Sequence, residues 1–367
     1  MTGSASALAD LLARRIRLGG PISVADYMRE TLGHPTHGYY ATRDPLGAAG
    51  DFITAPEISQ MFGELVGLWL LFNWLGAGSP DPFNLVELGP GRGTLMADAL
   101  RAARVRPAFL EAMRLHLVET SPVLRDRQQE TLLPATAGLE PPQWHEALAD
   151  VPDGPLLFVA NELFDALPVH QFERSDAGWR ERAVGLDAKG APAWCHVPPG
   201  SAFALIDPGM HALPPGSIVE VSPAAIALAG EIGRRIADGG GAALIVDYGS
   251  ARPTGRPTLQ AVRGHRRHDP LEAPGAADLT AHVDFGALAR AAGETGAAVW
   301  GPVAQRDLLQ RLGIRERANQ LAAEATPAQA ADIDAALARL LDENGMGSLF
   351  QALAITGGDT PPPGFAG

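Results

Sequence analysis

The segment Leu85-Val-Glu-Leu-Gly-Pro-Gly-Arg-Gly-Thr-Leu95 combines an apolar run, an acid and three closely spaced glycines. Glycines let a ligand approach the backbone closely, and a helix that starts after them offers the ligand free N–H groups. Glu87, just before the first glycine, suits a ligand with an amino or sulfonium group better than one with a pyrophosphate. The segment therefore predicts a ligand site at Glu87, Gly89, Gly91 and Gly93, with a purely structural turn as the alternative.

A second acid, Glu119, ends the next apolar run, Leu115–Glu119. A carboxylate at the end of the second strand of an α/β sheet can accept both ribose hydroxyls of a bound nucleoside. Dinucleotide-dependent enzymes use such an acid too, so Glu119 indicates a ribose without deciding the cofactor. The glycine spacing disfavours a dinucleotide, because position 94 is Thr where G-x-G-x-x-G requires its third glycine.

Three polar residues, Asn161, Glu162 and Asp165, follow the apolar run Leu156–Ala160. This run is expected to lie beside the first strand, so its carboxyl end would be next to a ligand of the glycine loop. If the ligand of the glycine loop is a sulfonium that donates a methyl group, the acceptor of that group must be held in line with the sulfonium. The acceptor must also lose a proton. Two carboxylates suit a guanidinium, whose pKa above about 12 makes carboxylate pairing necessary. A helix-capping loop is the alternative explanation for the two acids.

The elements that must position these residues alternate between short apolar runs and helical stretches from residue 83 onward. This alternation is typical of a parallel sheet with crossover helices. The predicted strands are Phe83–Leu88, Leu115–Glu119, a short one near Trp144, Leu156–Ala160, Ala242–Asp247, Ala297–Trp300 and Leu349–Ile355. The predicted helices include Thr94–Arg104, Pro122–Glu130, Pro223–Asp238 and Phe285–Ala292. Seven strands in one mostly parallel sheet predict a doubly wound, Rossmann-like α/β fold.

The domain organisation departs from this alternation at both ends and at three interruptions. Residues 1–76 are predicted as a helical N-terminal region, in which Ser23 caps a helix and an apolar helix covers Glu57–Leu75. The main domain covers 77–357, and 358–367 are predicted as a flexible tail. The interruptions are 169–219, a β-hairpin layer over the site; 252–282, a long loop; and 305–343, a helical appendage.

Composition excludes several classes of protein. A chain of 367 residues with 46% hydrophobic and 19% charged residues is typical of a globular protein, and no apolar run approaches the roughly 20 residues that span a bilayer. The net charge of -13 argues against non-specific nucleic-acid binding. One cysteine, Cys195, excludes an internal disulfide and a Cys-based zinc site. No metal site is predicted, and the basic run Arg263–Asp269 is interpreted as a solvated loop able to contact substrate.

Five segments in succession resemble the signatures of one family. They are Gly50–Glu64, Val86–Gly93, Ala160–Pro168, Asp278–Phe285 and Met346–Ile355. The chain resembles the MidA-like methyltransferases, which comprise bacterial proteins and the mitochondrial factor that methylates an arginine on the 49-kilodalton subunit of respiratory complex I during assembly.

The resemblance implies a class I methyltransferase fold with S-adenosylmethionine as cofactor. It also implies protein arginine N-methylation, with a homologue of the 49-kilodalton subunit as the client and symmetric dimethylation as the family's product. The expected location is the bacterial cytoplasm, without membrane insertion. The rival functions are a cofactor-binding assembly chaperone without turnover, a nucleotide-dependent oxidoreductase and a small-molecule methyltransferase.

The resemblance extends the predicted site beyond the strand ends. Asp51 and Thr54 lie in the first signature and are expected to cover the cofactor as part of a lid. Asn161 joins Glu87, Glu119 and the three loop glycines as a cofactor contact. The predicted catalytic residues are Glu162, Asp165 and His282, the last being a loop histidine near the substrate.

Overall fold

The computed structural model describes residues 2–42 and 53–366. The α-helices are α1 (Thr2–Gly19), α2 (Val24–Gly33), α3 (Tyr39–Thr42), α4 (Ala55–Ile58), α5 (Gln60–Gly76), α6 (Thr94–Ala103), α7 (Pro107–Ala112), α8 (Pro122–Leu132), α9 (Pro223–Gly239), α10 (Phe285–Gly293), α11 (Gln305–Arg311), α12 (Ile314–Ala323), α13 (Pro327–Leu341) and α14 (Met346–Leu349). Short 3₁₀ helices lie at Leu148–Asp150, Phe164–Ala166, Ser201–Leu205 and Pro208–Met210.

The strands follow in the same chain order. They are β1 (Ile22–Ser23), β2 (Phe83–Leu88), β3 (Met113–Val118), β4 (Gln143–His145), β5 (Leu156–Asn161), β6 (His170–Ser175), β7 (Gly178–Leu186), β8 (Pro192–Val197), β9 (Ile218–Val221), β10 (Gly241–Ser250), β11 (Gln260–Arg263), β12 (Arg266–His268), β13 (Asp278–Thr280), β14 (Val283–Asp284), β15 (Ala298–Ala304) and β16 (Phe350–Thr356). All seven strands predicted for the main sheet are present.

The chain divides into two compact units, each built from separate stretches of sequence. The first unit contains the described part of 1–52 together with 165–227 and 251–284, and the second contains 53–164, 228–250 and the described part of 285–367. The N-terminal region predicted to end at residue 76 is therefore divided near residue 53. The physical reason is that α4 and α5 contribute Ala55, Phe62 and Trp69 to the hydrophobic core of the second unit.

The second unit is organised around a mostly parallel sheet. Seven of its strands lie in the order β15-β16-β10-β5-β2-β3-β4. Strands β4, β3, β2, β5 and β10 pair in parallel, whereas β16 is antiparallel to both of its neighbours. Every residue of β2 is buried, which explains its continuous apolar run. The predicted Rossmann-like sheet is confirmed.

The strand order reverses between β2 and β5. The chain adds β3 and β4 on one side of β2 and then places β5 on its other side. In open α/β sheets, ligands bind at such a switch point, beyond the carboxyl ends of the strands. The carboxyl ends of β2 and β5 are followed by the glycine loop and by Glu162, respectively.

Helices α5 and α6 pack closely within the second unit. A Cβ atom at Gly67 would lie 2.4 Å from the Ala99 carbonyl oxygen, so only glycine permits this approach. The prediction of one apolar helix from Glu57 to Leu75 is wrong, because this segment forms the two helices α4 and α5. The chain is extended at Ser59, whose hydroxyl accepts a hydrogen bond from Met61 N at 3.2 Å and caps α5.

The first unit contains two antiparallel sheets. One places β1, β7, β6 and β9 side by side, with β8 also paired to β7, and thereby confirms strands in the 169–219 segment. The other has the order β12-β11-β13 and lies in 252–282, which was predicted as a loop; that prediction is wrong. Its strands are short, and the buried residues Ala261 and Leu279 stand among charged and turn residues that conceal the alternation.

Two further predictions concern the chain beyond residue 304. The appendage at 305–343 is helical, as α11, α12 and α13 show. The C-terminal tail, in contrast, packs against the second unit: Phe365 is buried, and the indole of Trp69 donates to the Pro363 carbonyl at 3.0 Å. The prediction of a flexible tail is corrected accordingly. Within the part of the chain described, no helix has both the length and the apolarity to cross a membrane.

Candidate active site

The glycine loop connects β2 to α6. Gly89, Gly91 and Gly93 have φ angles of 65°, 56° and 81°, in the left-handed region that side chains disfavour, and Gly93 is the N-cap of α6. A Cβ at Gly89 would lie 2.7 Å from Leu163 Cδ1. The loop therefore has the backbone conformation and the helix N-terminus of a ligand cradle.

Two buried acceptors lie on the neighbouring strands β2 and β5. Glu87 Oε2 and Asn161 Oδ1 are buried and accept no hydrogen bond from any residue that the structure describes. Burial raises the pKa of Glu87 to about 8. Since β2 and β5 pair with Leu88 opposite Ala160, both residues lie at the same edge of the sheet. Buried acceptors without donors call for a ligand that brings donors of its own.

Glu119, just beyond β3, is fixed by the chain around it. Its Oε1 accepts from Ser121 N at 2.8 Å, and its Oε2 accepts from the Gln128 side-chain amide at 3.2 Å. The side chain is buried, and burial raises its pKa despite these donors. The carboxylate is thus held in one orientation at the end of the second strand of the sheet's parallel part.

Gln128 links three parts of this site and was missed by the sequence analysis. Its Nε2 also donates to the Gly91 carbonyl at 2.8 Å, while its Oε1 accepts from Trp144 Nε1 at 2.8 Å. The residue is 0% exposed. A signal was present, because Gln128 lies between Leu124 and Leu132 at a spacing of four on the buried face of α8.

The N-terminus of α4 is connected to the glycine loop through Glu57. Its carboxylate accepts from Thr94 Oγ1 at 2.5 Å and lies 3.7 Å from the Arg92 guanidinium. Thr54 is the N-cap of α4 and makes no side-chain capping bond. Asp51, the other residue predicted from this signature, lies outside the described residues.

Glu162 adopts a backbone conformation unusual for a residue with a side chain. Its φ is 51°, and its amide donates to the Val246 carbonyl at 2.9 Å. Its Oε1 accepts from Ala55 N at 2.8 Å and from Asn161 Nδ2 at 3.1 Å. A left-handed non-glycine residue costs about 1–3 kcal/mol and is typical of functional sites.

The two other predicted catalytic residues, Asp165 and His282, belong to the first unit. Asp165 is buried, and its carbonyl accepts from Ala281 N at 2.9 Å. The backbone amide of His282 donates to Thr258 Oγ1 at 2.8 Å. Burial lowers the pKa of the His282 imidazole, although the negative charge of Glu220 opposes this effect.

The first unit also contains a buried cluster of Tyr40 with two acids, one of which is the predicted catalytic residue Asp165. Tyr40 donates its hydroxyl hydrogen to Asp278 Oδ1 at 3.0 Å. Burial raises the pKa of Tyr40 well above its ordinary value, and the charges of Asp278 and Asp165 raise it further. Asp165 and Asp278 are thus buried acids that act electrostatically on the same phenol.

Comparison with known proteins decides the family. A family model described as "Putative S-adenosyl-L-methionine-dependent methyltransferase" matches residues 65–303, more than half of the chain. The chain belongs to this family. It is 41% identical over 370 residues to zebrafish "Protein arginine methyltransferase NDUFAF7, mitochondrial", covering 94% of this chain and 85% of that protein. The human protein of the same name is 41% identical over 330 residues, covering 83% of this chain and 73% of the relative.

A solved structure supports the same assignment for this methyltransferase. A superfamily member from Burkholderia thailandensis, bound to S-adenosyl-homocysteine, superposes with a TM-score of 0.83 at 29% identity. The alignment covers 100% of this chain and 94% of that chain. The class I methyltransferase fold and the use of S-adenosylmethionine, both expected from the sequence, are confirmed.

The residues of the second unit fit this cofactor. Glu87 Oε2 and Asn161 Oδ1 are buried acceptors without a donor among the described residues, and the methyl donor carries an ammonium group and a sulfonium. Glu119 is held at the strand end where nucleoside-binding folds place the acid that accepts ribose hydroxyls. Gly89 has no side chain, which its positive φ and the nearby Leu163 side chain both require.

Proposed function

We propose that this methyltransferase transfers its methyl group to a guanidinium nitrogen of an arginine in a protein client. The observation that carries the proposal is the 41% identity, over 94% of the chain, to a relative named as a protein arginine methyltransferase. The acid-rich segment Asn161–Asp165 adds chemical support, because carboxylates are the groups that orient a guanidinium. The client proposed is a homologue of the 49-kilodalton subunit of complex I, methylated in the bacterial cytoplasm.

The proposal assigns the cofactor contacts to the second unit. Glu87 and Asn161 would accept from the ammonium group, Glu119 would accept from the ribose hydroxyls, and Gly89, Gly91 and Gly93 would present their backbone. Thr54, together with Asp51, keeps its predicted place in a covering segment. The support for these roles is the fixed orientation of Glu119 and the pair of buried acceptors that have no partner in the described part of the chain.

When bound, S-adenosylmethionine supplies an electrophilic methyl group on a positively charged sulfur. Glu162 is proposed to orient the guanidinium and to draw positive charge from the attacking nitrogen. The hydrogen bond from Ala55 N holds one of its carboxylate oxygens, so the group does not need to be ordered by the substrate. As the N–C bond forms and the S–C bond breaks, the nitrogen loses a proton to a carboxylate. Asp165 and His282 keep the predicted roles of substrate residues.

The experiment is methylation of the purified 49-kilodalton subunit homologue, followed by mass spectrometry of its arginines. Glu162→Gln should lower kcat by about 100-fold or more while leaving cofactor affinity unchanged, because the amide oxygen still accepts from Ala55 N. Asp238→Asn, at an exposed position on α9, is the matched control and should have wild-type activity. An unmodified client with the wild-type enzyme would disprove the client, and full activity of Glu162→Gln would disprove the role of Glu162.

A further inference from the structure

The basic residues of this acidic chain are unevenly distributed. The whole chain has 42 acidic and 29 basic residues, yet residues 248–268 contain five arginines and no acid. Three of these arginines, Arg263, Arg266 and Arg267, lie within one β-hairpin, residues 260–268, which we call the basic hairpin. The local charge is therefore opposite to that of the molecule.

The basic hairpin has a defined backbone. Strands β11 and β12 pair with Ala261 opposite His268 and Arg263 opposite Arg266. The two residues between the strands, Gly264 and His265, have φ angles of 56° and 59°. Positive φ at both positions is the signature of a tight type I′ turn, which matches the twist of the strands. The arginines are thus presented on a regular element rather than on the solvated loop predicted from the sequence.

The charges at the tip are exposed and are not neutralised by any residue that the structure describes. Arg263, Arg266 and Arg267 are exposed. Their side chains make no ion pair or hydrogen bond with any residue of the described ranges 2–42 and 53–366. Arg263 and Arg266 stand directly opposite each other, and like charges in that arrangement are destabilising. The next acid, Asp269, accepts from Leu271 N at 2.9 Å through Oδ1. An external anion would relieve the repulsion.

The base of the basic hairpin is firmly attached to the rest of the first unit. The Glu220 carboxylate accepts from Leu259 N at 3.0 Å, from Thr258 N at 3.1 Å and from the Thr258 hydroxyl. Strand β11 also pairs with β13, the strand that begins at Asp278. Thr258 in turn accepts from the His282 amide. Strand pairing and hydrogen bonds therefore attach the base of the hairpin to the strand and loop that carry Asp278 and His282.

We propose that the basic hairpin is a docking surface for an acidic segment of the protein client; this role rests on the proposed function. Arginine pairs with carboxylates through two parallel hydrogen bonds, and the cross-strand pair Arg263 and Arg266, with Arg267 next along the strand, suits a run of Asp and Glu side chains. A nucleic acid fits less well, because a long polyanion would also meet the field of a chain whose net charge is -13. A short acidic segment needs to contact only the tip.

The first experiment measures binding without requiring methyl transfer. The probe is a fluorescent peptide of about ten glutamates, titrated with the full-length protein at about 50 mM and about 300 mM salt. Replacing Arg263, Arg266 and Arg267 by Gln should weaken binding about tenfold at low salt and reduce the salt dependence. The control replaces Arg14, Arg106 and Arg315, which are exposed elsewhere, by Gln; it changes net charge equally and should leave affinity within about twofold.

A second set of variants separates charge from folding. Replacing the three hairpin arginines by Lys keeps the charge and should retain most of the affinity, and calorimetric titration of S-adenosylmethionine should give the same Kd for all variants. Absence of peptide binding by the wild type, or equal loss in the hairpin and control triples, overturns the docking surface. Tighter binding of duplex DNA than of the glutamate peptide overturns the acidic-protein partner.

The client assay distinguishes this proposal from the proposed function. With the 49-kilodalton subunit homologue, the Gln triple should raise the client KM about tenfold and leave kcat unchanged. If arginine methylation is absent but the glutamate peptide still distinguishes the hairpin triple from the control triple, the proposed function has failed and the docking surface stands. If methylation occurs with an unchanged client KM, the docking surface has failed alone.

Discussion

The fold changes the protonation of Glu87 at neutral pH. Burial raises its pKa from 4.5 to about 8, so the side chain is neutral in the ligand-free protein at neutral pH. An acid with a raised folded pKa is ionised only in the unfolded chain between these two values. The free energy of unfolding therefore decreases as pH rises from about 4.5 to about 8, because the unfolded state binds fewer protons.

The same shift predicts a pH dependence of cofactor binding. A cationic ligand favours the ionised form of Glu87, so binding should release a proton and affinity should increase between about pH 6 and about pH 8, by up to about tenfold per unit. Calorimetry in buffers of different ionisation enthalpy measures the release. Glu87→Gln is the control, because this variant removes the titration of Glu87 and keeps that of the ligand's own amine, whose pKa is about 8. Equal pH slopes in wild type and Glu87→Gln would contradict the prediction.

At the residue scale, the sequence identifies the positions of candidate site residues better than it identifies their backbone conformation. The glycines at 89, 91 and 93 were predicted as a cradle, and their positive φ angles agree with that prediction. The left-handed backbone of Glu162 could not be predicted, because it depends on Val246 accepting its amide and on Ala55 lying against its carboxylate. These partners are more than 80 residues away in one direction and more than 100 in the other, and local propensity carries no information about them.

At the element scale, Gln128 connects α8 to the glycine loop and to β4. Replacing it by Leu removes one hydrogen bond from each of three groups, which are the Gly91 carbonyl, the Glu119 carboxylate and the Trp144 indole. A buried polar group that loses its partner costs about 1–3 kcal/mol, so Gln128→Leu should lower the free energy of unfolding by several kcal/mol. Cofactor affinity should fall about tenfold or more, because Glu119 and the loop lose their common support.

The neighbouring residue offers a matched control. Gln129 is exposed on the same helix, and Gln129→Leu should leave both stability and cofactor affinity nearly unchanged. Trp144→Phe removes one of the three bonds, so it should be milder than Gln128→Leu, and the double variant should show less than additive loss. Denaturant unfolding and calorimetry measure the two effects. A Gln128→Leu protein with wild-type Kd for the cofactor would show that Gln128 does not position the site.

Elements that are buried on both faces can be predicted from sequence more easily than short, polar ones. The strands of the second unit were predicted well because burial on both faces gives long apolar runs, as in β2. The strands of 252–282 were missed because they are three or four residues long and mostly polar. The break at Ser59 was missed because one hydroxyl bond to Met61 N decides it within an otherwise apolar helix.

At the scale of the whole molecule, the two units divide the predicted chemistry. The cofactor residues that the structure describes belong to the second unit, whereas Asp165, His282 and the basic hairpin belong to the first. Each unit is assembled from separate stretches of the chain, so no boundary in sequence could reveal the division. Composition and periodicity report local structure, and this organisation depends on contacts between distant segments.

The C-terminal tail shows the same dependence on distant contacts and gives the last prediction. The indole of Trp69, on α5, donates to the Pro363 carbonyl, and the Arg311 guanidinium, on α11, donates to the Gly364 carbonyl at 3.0 Å. Phe365 is only 8% exposed and belongs to the hydrophobic core of the second unit. Deleting residues 358–367 should therefore lower the melting temperature, and Phe365→Ala alone should lower the free energy of unfolding by about 3–5 kcal/mol.

The comparison that isolates this effect is a truncation directly after Phe365. It removes two residues and keeps all three contacts, so its melting temperature should equal that of the intact chain. Trp69 and Arg311 anchor the tail on two helices of the second unit, so the deletion of 358–367 should lower the melting temperature of the ligand-free protein. The cofactor should still raise the melting temperature of this variant. A melting temperature unaffected by removing 358–367 would mean that the buried Phe365 adds no stability and that the tail behaves as the sequence first suggested.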